Sequence, residues 1–274
     1  MFRRRPDGVP AADVPGYRQM MPYLMTGKNA SAVYTRFTVD MEKALAMFRS
    51  PPPGLEGKLT LTHLFLRAGV KTLAEFPDLN RYVSGRRLYQ RDGIWFSFSA
   101  KKAFRDDAPI VVIKIRFDPD ESLQEMVDRV VARLSEGRSD KQSVADKETK
   151  VLLNLPRGVI RAAIGLQSML DYFNLLPSAF VEHDIFYASA FIANLGSIGL
   201  DAAYHHLYEY GNIPLFITIG KVQPMAVYDS EGCVVMRPTA EVKATVDDRV
   251  ADGFYGARAL ARLKHLMEHP DEML

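Results

Sequence analysis

Hydrophobic residues recur along the chain at two spacings, which predict a mixture of strands and helices. From Val33 to Met41, apolar and polar residues alternate, so this segment is predicted to be a strand with one buried face. From Leu61 to Phe76, apolar residues stand three and four positions apart, which predicts an amphipathic helix that Pro77 ends. A second helix of this kind is predicted from Leu123 to Leu134.

The remaining pattern predicts more strands and one closing helix. The further strands are predicted at residues 94–100, 110–117, 186–193, 215–222, 233–238 and 241–246. A final helix follows Gly253 and stops before Pro270. Because strands and helices do not alternate strictly, the pattern favours an α+β fold over a parallel α/β fold.

The least polar segment is 152–176, which we interpret as a buried or interface helix. A helix lying on a membrane surface is the alternative interpretation. No stretch reaches 18 uninterrupted apolar residues, so a spanning helix is not expected. We expect residues 1–15, which mix arginines with Pro and Gly, to form a flexible arm, and residues 16–274 to form a single domain.

Composition narrows the class of protein. The chain has 274 residues, of which 47% are hydrophobic and 25% charged, as in ordinary globular proteins. The net charge of +2 gives no general case for a nucleic-acid partner. The single cysteine, Cys233, excludes an internal disulfide; we expect it to be buried and the compartment to be reducing and cytoplasmic.

Two C-terminal motifs resemble a known family. Residues 247–253, with the sequence DDRVADG, resemble the D-H-R-x-x-D-G signature of dihydrolipoyl acyltransferase cores from 2-oxo acid dehydrogenase complexes. Residues 193–199, with the sequence ANLGSIG, are similar to the family loop S-N-x-G-x-x-G. Weaker similarity at residues 25–41 and 58–80 extends the resemblance over most of the chain.

This resemblance implies a fold and an assembly. The family has the α+β fold of chloramphenicol acetyltransferase, a mixed sheet with flanking helices, and forms trimers with the acyl-transfer channel between subunits. It also implies coenzyme A as a substrate, carrying the acyl group as acyl-CoA. The lipoyl domain usual in the family would not fit before the core in this chain, so we expect lipoamide to come from an external lipoyl-bearing protein, or the acceptor to be a small molecule.

The chain departs from the family at two chemical positions. In the family the histidine of D-H-R takes a proton from a thiol, and the serine of S-N-x-G hydrogen-bonds the oxyanion; here Asp248 and Ala193 stand in their places. The pKa of a carboxyl group is about 2.6 units below that of imidazole, so proton removal becomes harder by about 3.5 kcal/mol. Loss of an oxyanion donor typically costs about 2.7–4 kcal/mol.

One hypothesis is that the chemistry has moved to the segment 201–210. His205 or His206 would act as the base, oriented by Asp248 or Glu209. The oxyanion would bind to the glycine loop. The candidate catalytic residues are therefore His205, His206, Asp248 and Asp252; the loop residues are Asn194, Gly196 and Ser197; and the motif residues interpreted as structural are Asp247, Arg249 and Gly253.

The alternative hypothesis is a catalytically inactive oligomeric scaffold or binding protein with the same fold. In that case His205 and His206 are ordinary structural or interface residues. A zinc site that uses them with His183 and with Glu182 or Asp184 is conceivable, but these three histidines do not have the H-x-x-x-H spacing that would support it. We therefore expect no metal.

Overall fold

The strands and helices lie within residues 5–101, 110–138, 154–229 and 231–274, which are the residues that the computed structural model describes. The strands are β1 Gly8–Pro10, β2 Ala32–Asp40, β3 Arg81–Ser84, β4 Arg87–Arg91, β5 Ile94–Lys101, β6 Ile110–Phe117, β7 Ala190–Asn194, β8 Leu215–Tyr228 and β9 Val234–Asp247. The helices are α1 Gly16–Leu24, α2 Glu42–Arg49, α3 Leu61–Glu75, α4 Leu123–Arg138, α5 Arg157–Tyr172, α6 Ser178–His183 and α7 Gly253–Glu268.

Six strands form one mixed sheet in the order β2-β9-β8-β7-β5-β6. Strand β7 runs parallel to both of its neighbours, whereas the other pairs are antiparallel. Helices α3, α4 and α7 contribute to the large apolar core on one face of this sheet. The other face carries a smaller apolar cluster around Phe191 and Phe216. The predicted α+β class with a mixed sheet is confirmed.

Several sequence-predicted boundaries differ from the structure. Strand β7 begins only at Ala190, because Tyr187 closes a turn by donating its N–H to the carbonyl of Asp184. The two strands predicted at 233–238 and 241–246 are one strand, β9, which pairs with β8 on both sides of Pro238. Cys233 lies just before β9 and is exposed, so the prediction that it is buried was wrong.

The apolar segment 152–176 contains helix α5, but that helix is not buried. None of its residues is buried, and Leu166 and Met169 are about half exposed. Its contacts include the hydrogen bond from Gln167 Nε2 to Tyr187 Oη at 2.5 Å. The interpretation as a buried helix was therefore wrong, while the interface and membrane-surface interpretations stay predictions. Within the described residues, no helix has both the length and the apolar character needed to cross a membrane.

The N-terminal segment packs against the fold from Arg5 onward, in place of the arm expected over residues 1–15. Strand β1 pairs with β4. Arg5 is buried and binds Asp7 and Asp171, each at 2.9 Å, so it joins the chain start to helix α5. Burial by itself raises the pKa of Asp7, but the guanidinium groups of Arg91 and Arg5 lower it below its usual value.

We predict that Arg5→Met destabilises the protein by about 3 kcal/mol, because it leaves partly buried Asp171 without this cation and Asp7 with Arg91 alone. The measurement is the free energy of unfolding in urea at pH 7. The matched control is Lys58→Met, which removes the exposed ion pair with Asp128 and should cost less than about 1 kcal/mol. Equal losses in the two variants would contradict a structural role for the buried network.

Candidate functional site

The turn that follows β9 is fixed by a buried ion pair. Arg249 donates from Nε and Nη2 to the two carboxylate oxygens of Asp247, at 2.8 and 2.7 Å. Ser31 Oγ donates to the same carboxylate at 3.0 Å, and Arg249 Nη1 also binds the carbonyl of Met25 at 3.1 Å. Every charged atom of Asp247 and Arg249 therefore faces a protein partner, and their interpretation as structural stays a prediction.

Asp248 lies at the tip of this turn, and its backbone is held on both sides. Its N–H donates to the carbonyl of Ser31 at 2.9 Å, and buried Arg18 donates to the carbonyl oxygens of Asp248 and Ala251. Four residues later, Asp252 caps helix α7 by accepting the N–H of Tyr255 at 2.8 Å. The turn therefore presents two carboxylates, one of which is already used as a helix cap.

The glycine loop lies after the C-terminal end of β7. Ser197 donates its N–H to Asn194 Oδ1 and its hydroxyl to the Asn194 carbonyl, and Asn194 Nδ2 in turn reaches Thr62 Oγ1. A side chain at Gly196 would lie 2.5 Å from the carbonyl oxygen of Gly220. The glycine is thus required by close backbone packing, and the Ser197 hydroxyl is already engaged.

Segment 201–210 covers the second face of the sheet as an extended loop. Thr218 and Thr245 donate their hydroxyl groups to the carbonyls of Ala203 and His205, at 2.6 and 2.5 Å. The His205 ring stacks on Phe216 with centroids 3.8 Å apart. The segment is therefore held against the neighbouring strands β8 and β9.

The end of this segment is held by a buried lysine. Lys28 Nζ donates to the carbonyls of Tyr208, Tyr210 and Gly211, at 2.6, 3.2 and 2.6 Å. Burial lowers the pKa of Lys28 to about 8, against the opposing effect of Asp247 and Glu209. Burial raises the pKa of Glu209, but hydrogen bonds from the N–H groups of Asn29 lower it by more. The pKa of Glu209 therefore lies below its usual value. Neither contact had been predicted from the sequence.

The two adjacent histidines share one hydrogen-bonding arrangement. His205 Nδ1 is 2.6 Å from the carbonyl of His206, and His206 Nδ1 is 3.0 Å from the carbonyl of Leu207. Carbonyl acceptors at Nδ1 place the proton there, which leaves Nε2 as the basic nitrogen of each ring. Within the part of the chain that the structure describes, neither ring contacts a carboxylate. Glu209 instead binds Asn29.

The structure separates the candidate residues into two places. Ala193 pairs with Thr218 in β8, and the N–H of Asp247 binds Pro214, four residues earlier along the same strand. With about 3.3 Å per residue and 4.8 Å per strand, the backbones of Ala193 and Asp247 are about 16 Å apart. Ala193 packs with Leu207 and Phe216 on the face that also carries His205. The histidines therefore lie on the second face of the sheet, beside Phe216 and Thr245, and Ala193 lies farther from Asp247 along the strands than His205 does.

A groove of about 400 Å³ runs from Asp248 along β2 and α7. Asp248 and Asp252 line one end, while Arg36 and Lys264 also line the groove. Lys264 is twelve residues after Asp252 on α7, so the cationic end lies about 18 Å from the acidic one. Between the ends, the lining is mainly apolar or small. The groove thus fits a long ligand with an anionic end.

The residues that hold these parts together were not predicted from the sequence. Arg18, Lys28 and Asn29 anchor the turn and the loop, yet they lie more than 170 residues away in sequence. Their only signal was position, since Lys28 and Asn29 lie in the stretch 25–41, which resembles the first helix and strand of the family. In the structure helix α1 ends at Leu24, before this stretch.

The lowered pKa of Lys28 predicts a pH dependence of stability. Because its pKa is about 8 in the folded protein and about 10.5 when unfolded, the unfolded chain binds more protons between these values. The Lys28 contribution to the free energy of unfolding should therefore rise by about 2 kcal/mol from pH 7 to pH 10. The measurement is the urea unfolding difference between the native sequence and Lys28→Met, in which other titrating groups cancel. A difference that is constant with pH would contradict the burial of a depressed ammonium group.

Comparisons with known proteins agree with the motifs and the fold. The chain superposes on a probable dihydrolipoamide acetyltransferase from Listeria monocytogenes 4b F2365, with 16% identity, coverage of 94% of each chain and a TM-score of 0.61. For dihydrolipoamide acetyltransferase of Azotobacter vinelandii the identity is 20%, the coverage 96% of this chain and 93% of that one, and the TM-score 0.63. For a chloramphenicol acetyltransferase the identity is 11%, the coverage 96% of this chain and 98% of that one, and the TM-score 0.52.

At these identities the superpositions show the fold alone. No curated protein matches the chain by sequence. The C-terminal part does match a family model, described as 2-oxoacid dehydrogenases acyltransferase (catalytic domain), over residues 180–274. The resemblance read from the two motifs is thus confirmed: residues 180–274 carry the catalytic-domain pattern of the 2-oxo acid dehydrogenase acyltransferases, on a chloramphenicol acetyltransferase-like fold.

Proposed function

We propose that this protein transfers an acyl group between coenzyme A and a thiol or hydroxyl acceptor, at a site that two copies of the chain complete. The single observation that carries this proposal is the groove beside Asp248, whose ends differ in charge. Coenzyme A is a long thiol with phosphates at the far end. Arg36 and Lys264 suit the phosphates, and the thioester then lies near Asp248.

The separation of the candidate residues supports a site between copies. Ala193 and Asp247 are about 16 Å apart along one sheet, which is too far for both positions to face one thioester. A neighbouring copy that places its histidine face over the groove would bring the two together. We propose a trimer for this reason, since that is the assembly the family resemblance implies.

The Azotobacter vinelandii structure bears on which positions matter. It was determined to investigate the roles of a serine, a histidine and an asparagine in that enzyme's catalytic mechanism, the last two being four residues apart. Asp248 and Asp252 have the same separation here, and both line the groove. We therefore place the reacting end of the substrate at these two carboxylates.

In this proposal His205 or His206 acts as the base. The carboxylate of Asp248, which stands in place of the family histidine, is a weaker base than imidazole. The incoming thiol or hydroxyl group gives its proton to Nε2 of His206 or His205 while its sulfur or oxygen bonds to the thioester carbon. Collapse of the tetrahedral intermediate breaks the carbon–sulfur bond, and the departing coenzyme A thiolate takes the proton back. His206 is the more exposed of the two, so it is the better placed to meet a substrate held by another copy.

The acceptor and the setting form part of the same proposal. Either an external lipoyl-bearing protein or a small acceptor can approach the exposed side of segment 201–210, where Tyr204 is half exposed. A cytoplasmic location fits, because a reducing compartment keeps acceptor thiols and the exposed Cys233 reduced.

A catalytically inactive scaffold is the second candidate, and one observation favours it. Ala193, at the position of the family serine, is only 8% exposed and packs with Leu207 and Phe216. An oxyanion at this position would therefore require loop 201–210 to move. If the loop does not move, the fold serves assembly alone.

The two candidates differ in measurable turnover. Incubation of the pure protein with a panel of acyl-CoAs and with dihydrolipoamide or chloramphenicol as acceptor should yield free coenzyme A, measured by chromatography. His206→Ala or His205→Ala should lower the rate about a hundredfold or more, because proton transfer contributes about 10²–10⁴. The matched control is His183→Ala, at the end of α6, which should keep the native rate. Turnover that survives both histidine variants would refute the relocated base, and no turnover with any pair would favour the scaffold.

The proposed assembly has its own test. Light scattering should give a mass close to three times that of the 30.8 kDa chain. A monomer at micromolar concentration would remove the second copy on which the composite site depends.

A further inference from the structure

Helix α5 turns polar side chains toward the protein and leaves apolar side chains outside. Gln167 donates to Tyr187 Oη at 2.5 Å, and Asp171 accepts from Arg5 Nη2 at 2.9 Å. Met169 lies between them in sequence and about 200° from each around the helix, so it points away from the protein. We call the exposed apolar residues at and just beyond this end of the helix the outer face of α5: Leu166, Met169, Tyr172 and Phe173. A surface helix normally buries its apolar side, so the outer face is built to meet an apolar surface.

The exposed charges along α5 are cationic. Arg157 and Arg161 stand one helical turn apart at the start of the helix, and both are exposed. The only acidic residue between positions 154 and 176 is Asp171, which is paired with buried Arg5. This part of the surface therefore joins apolar side chains with an excess of positive charge.

A third exposed cation lies at the other end of the helix. Gly85 packs closely on the end of α5, since a Cβ added there would lie 2.4 Å from the carbonyl oxygen of Tyr172. This contact places exposed Arg86 beside the outer face. The Arg86 guanidinium lies 5.8 Å from the centre of the Tyr23 ring, which is itself about half exposed. Arginine and tyrosine are residues that suit the boundary between water and lipid.

Helix α5 is supported at the edge of the sheet farthest from the groove. Leu170 of α5 and Val181 of α6 belong to one apolar cluster. Lys114 of β6 donates to the carbonyls of Val181 and Asp184, at 2.7 and 3.2 Å. Strands β6 and β2 are the two edges of the six-stranded sheet, about 24 Å apart, and β2 lines the groove. The copy of the chain that would complete the groove thus approaches another side of the sheet.

We propose that the outer face of α5 docks on an anionic lipid surface. The apolar and aromatic side chains enter the boundary between headgroups and acyl chains, about 5–10 Å deep, while Arg157, Arg161 and Arg86 pair with headgroup phosphates. A second copy of the chain is a poorer occupant. Pairing of two α5 helices would bring the arginines of both copies to faces whose only carboxylate, Asp171, already has its cation. This inference is independent of the proposed function.

Flotation of the full chain with lipid vesicles tests the proposal. The protein should bind vesicles of mixed phosphatidylcholine and phosphatidylglycerol at least tenfold more tightly than vesicles of phosphatidylcholine alone. The reason is that each arginine near an anionic surface contributes about fivefold in affinity. High salt should weaken the binding, because it screens these charges.

Two sets of variants test the surface itself. Met169→Glu should lower the affinity for the anionic vesicles at least tenfold, because it replaces an apolar contact by a charge. Its matched control is Met236→Glu in β9, which adds the same charge at another exposed methionine and should keep the native affinity. Arg157→Gln combined with Arg161→Gln should also lower the affinity tenfold or more. Its control combines Lys43→Gln and Arg49→Gln, two exposed cations of α2, and should have no such effect.

The outcomes decide between the occupants of this face. Absence of binding to the anionic vesicles would overturn the proposal, and so would equal losses in Met169→Glu and Met236→Glu. Light scattering without lipid gives the remaining distinction. If Met169→Glu lowers the mass of the native assembly, the outer face is an interface between copies and the proposal is wrong. An unchanged mass together with lost vesicle binding supports it. None of these variants changes the groove or the two histidines, so the proposed function can stand or fail separately.

Discussion

The ion pair between Asp247 and Arg249 is the contact on which the rest of the site depends. Both side chains are buried, and the pair is bidentate, so neither charge is left without a partner. It closes the turn between strand β9 and helix α7. This turn places α7 beside β2, and residues of both elements line the groove.

Because the turn is stabilised by its flanking residues, it does not need the histidine of the family at its tip. Asp248 contributes backbone groups to the fold, through Ser31 and Arg18, and its side chain is not part of the ion pair. A substitution at this position can therefore change the chemistry without disturbing the architecture. The same independence explains why the motif is recognisable although its reactive residue has changed.

The sequence predicted the elements whose signal is local. The helix from Leu61 was recognised from its apolar spacing, and β2 from its alternation, because each buries one face against a neighbour. Helix α5 shows where such reasoning fails: its composition is apolar, yet burial depends on a partner surface that the sequence pattern does not specify. The sequence pattern predicted two strands that meet near Pro238. In the structure β9 continues through this residue, because it pairs with β8 on both sides of it.

The candidate site was less predictable, since its parts meet only through long-range contacts. The motif residues were found from their order, and the histidines from their chemistry, but the anchoring role of Lys28 depends on three carbonyls 180–183 residues away.

The alanine at position 193 is explained by the cover that segment 201–210 forms over it. The segment covers the sheet face beside β7, and Leu207 packs in one cluster with Ala193 and Phe216. A serine hydroxyl beneath that cover would need a partner, and leaving it unpaired would cost about 1–3 kcal/mol. Alanine removes that cost, so the residue that the family uses for an oxyanion here becomes part of an apolar contact. The same cover carries His205 and His206 to this face.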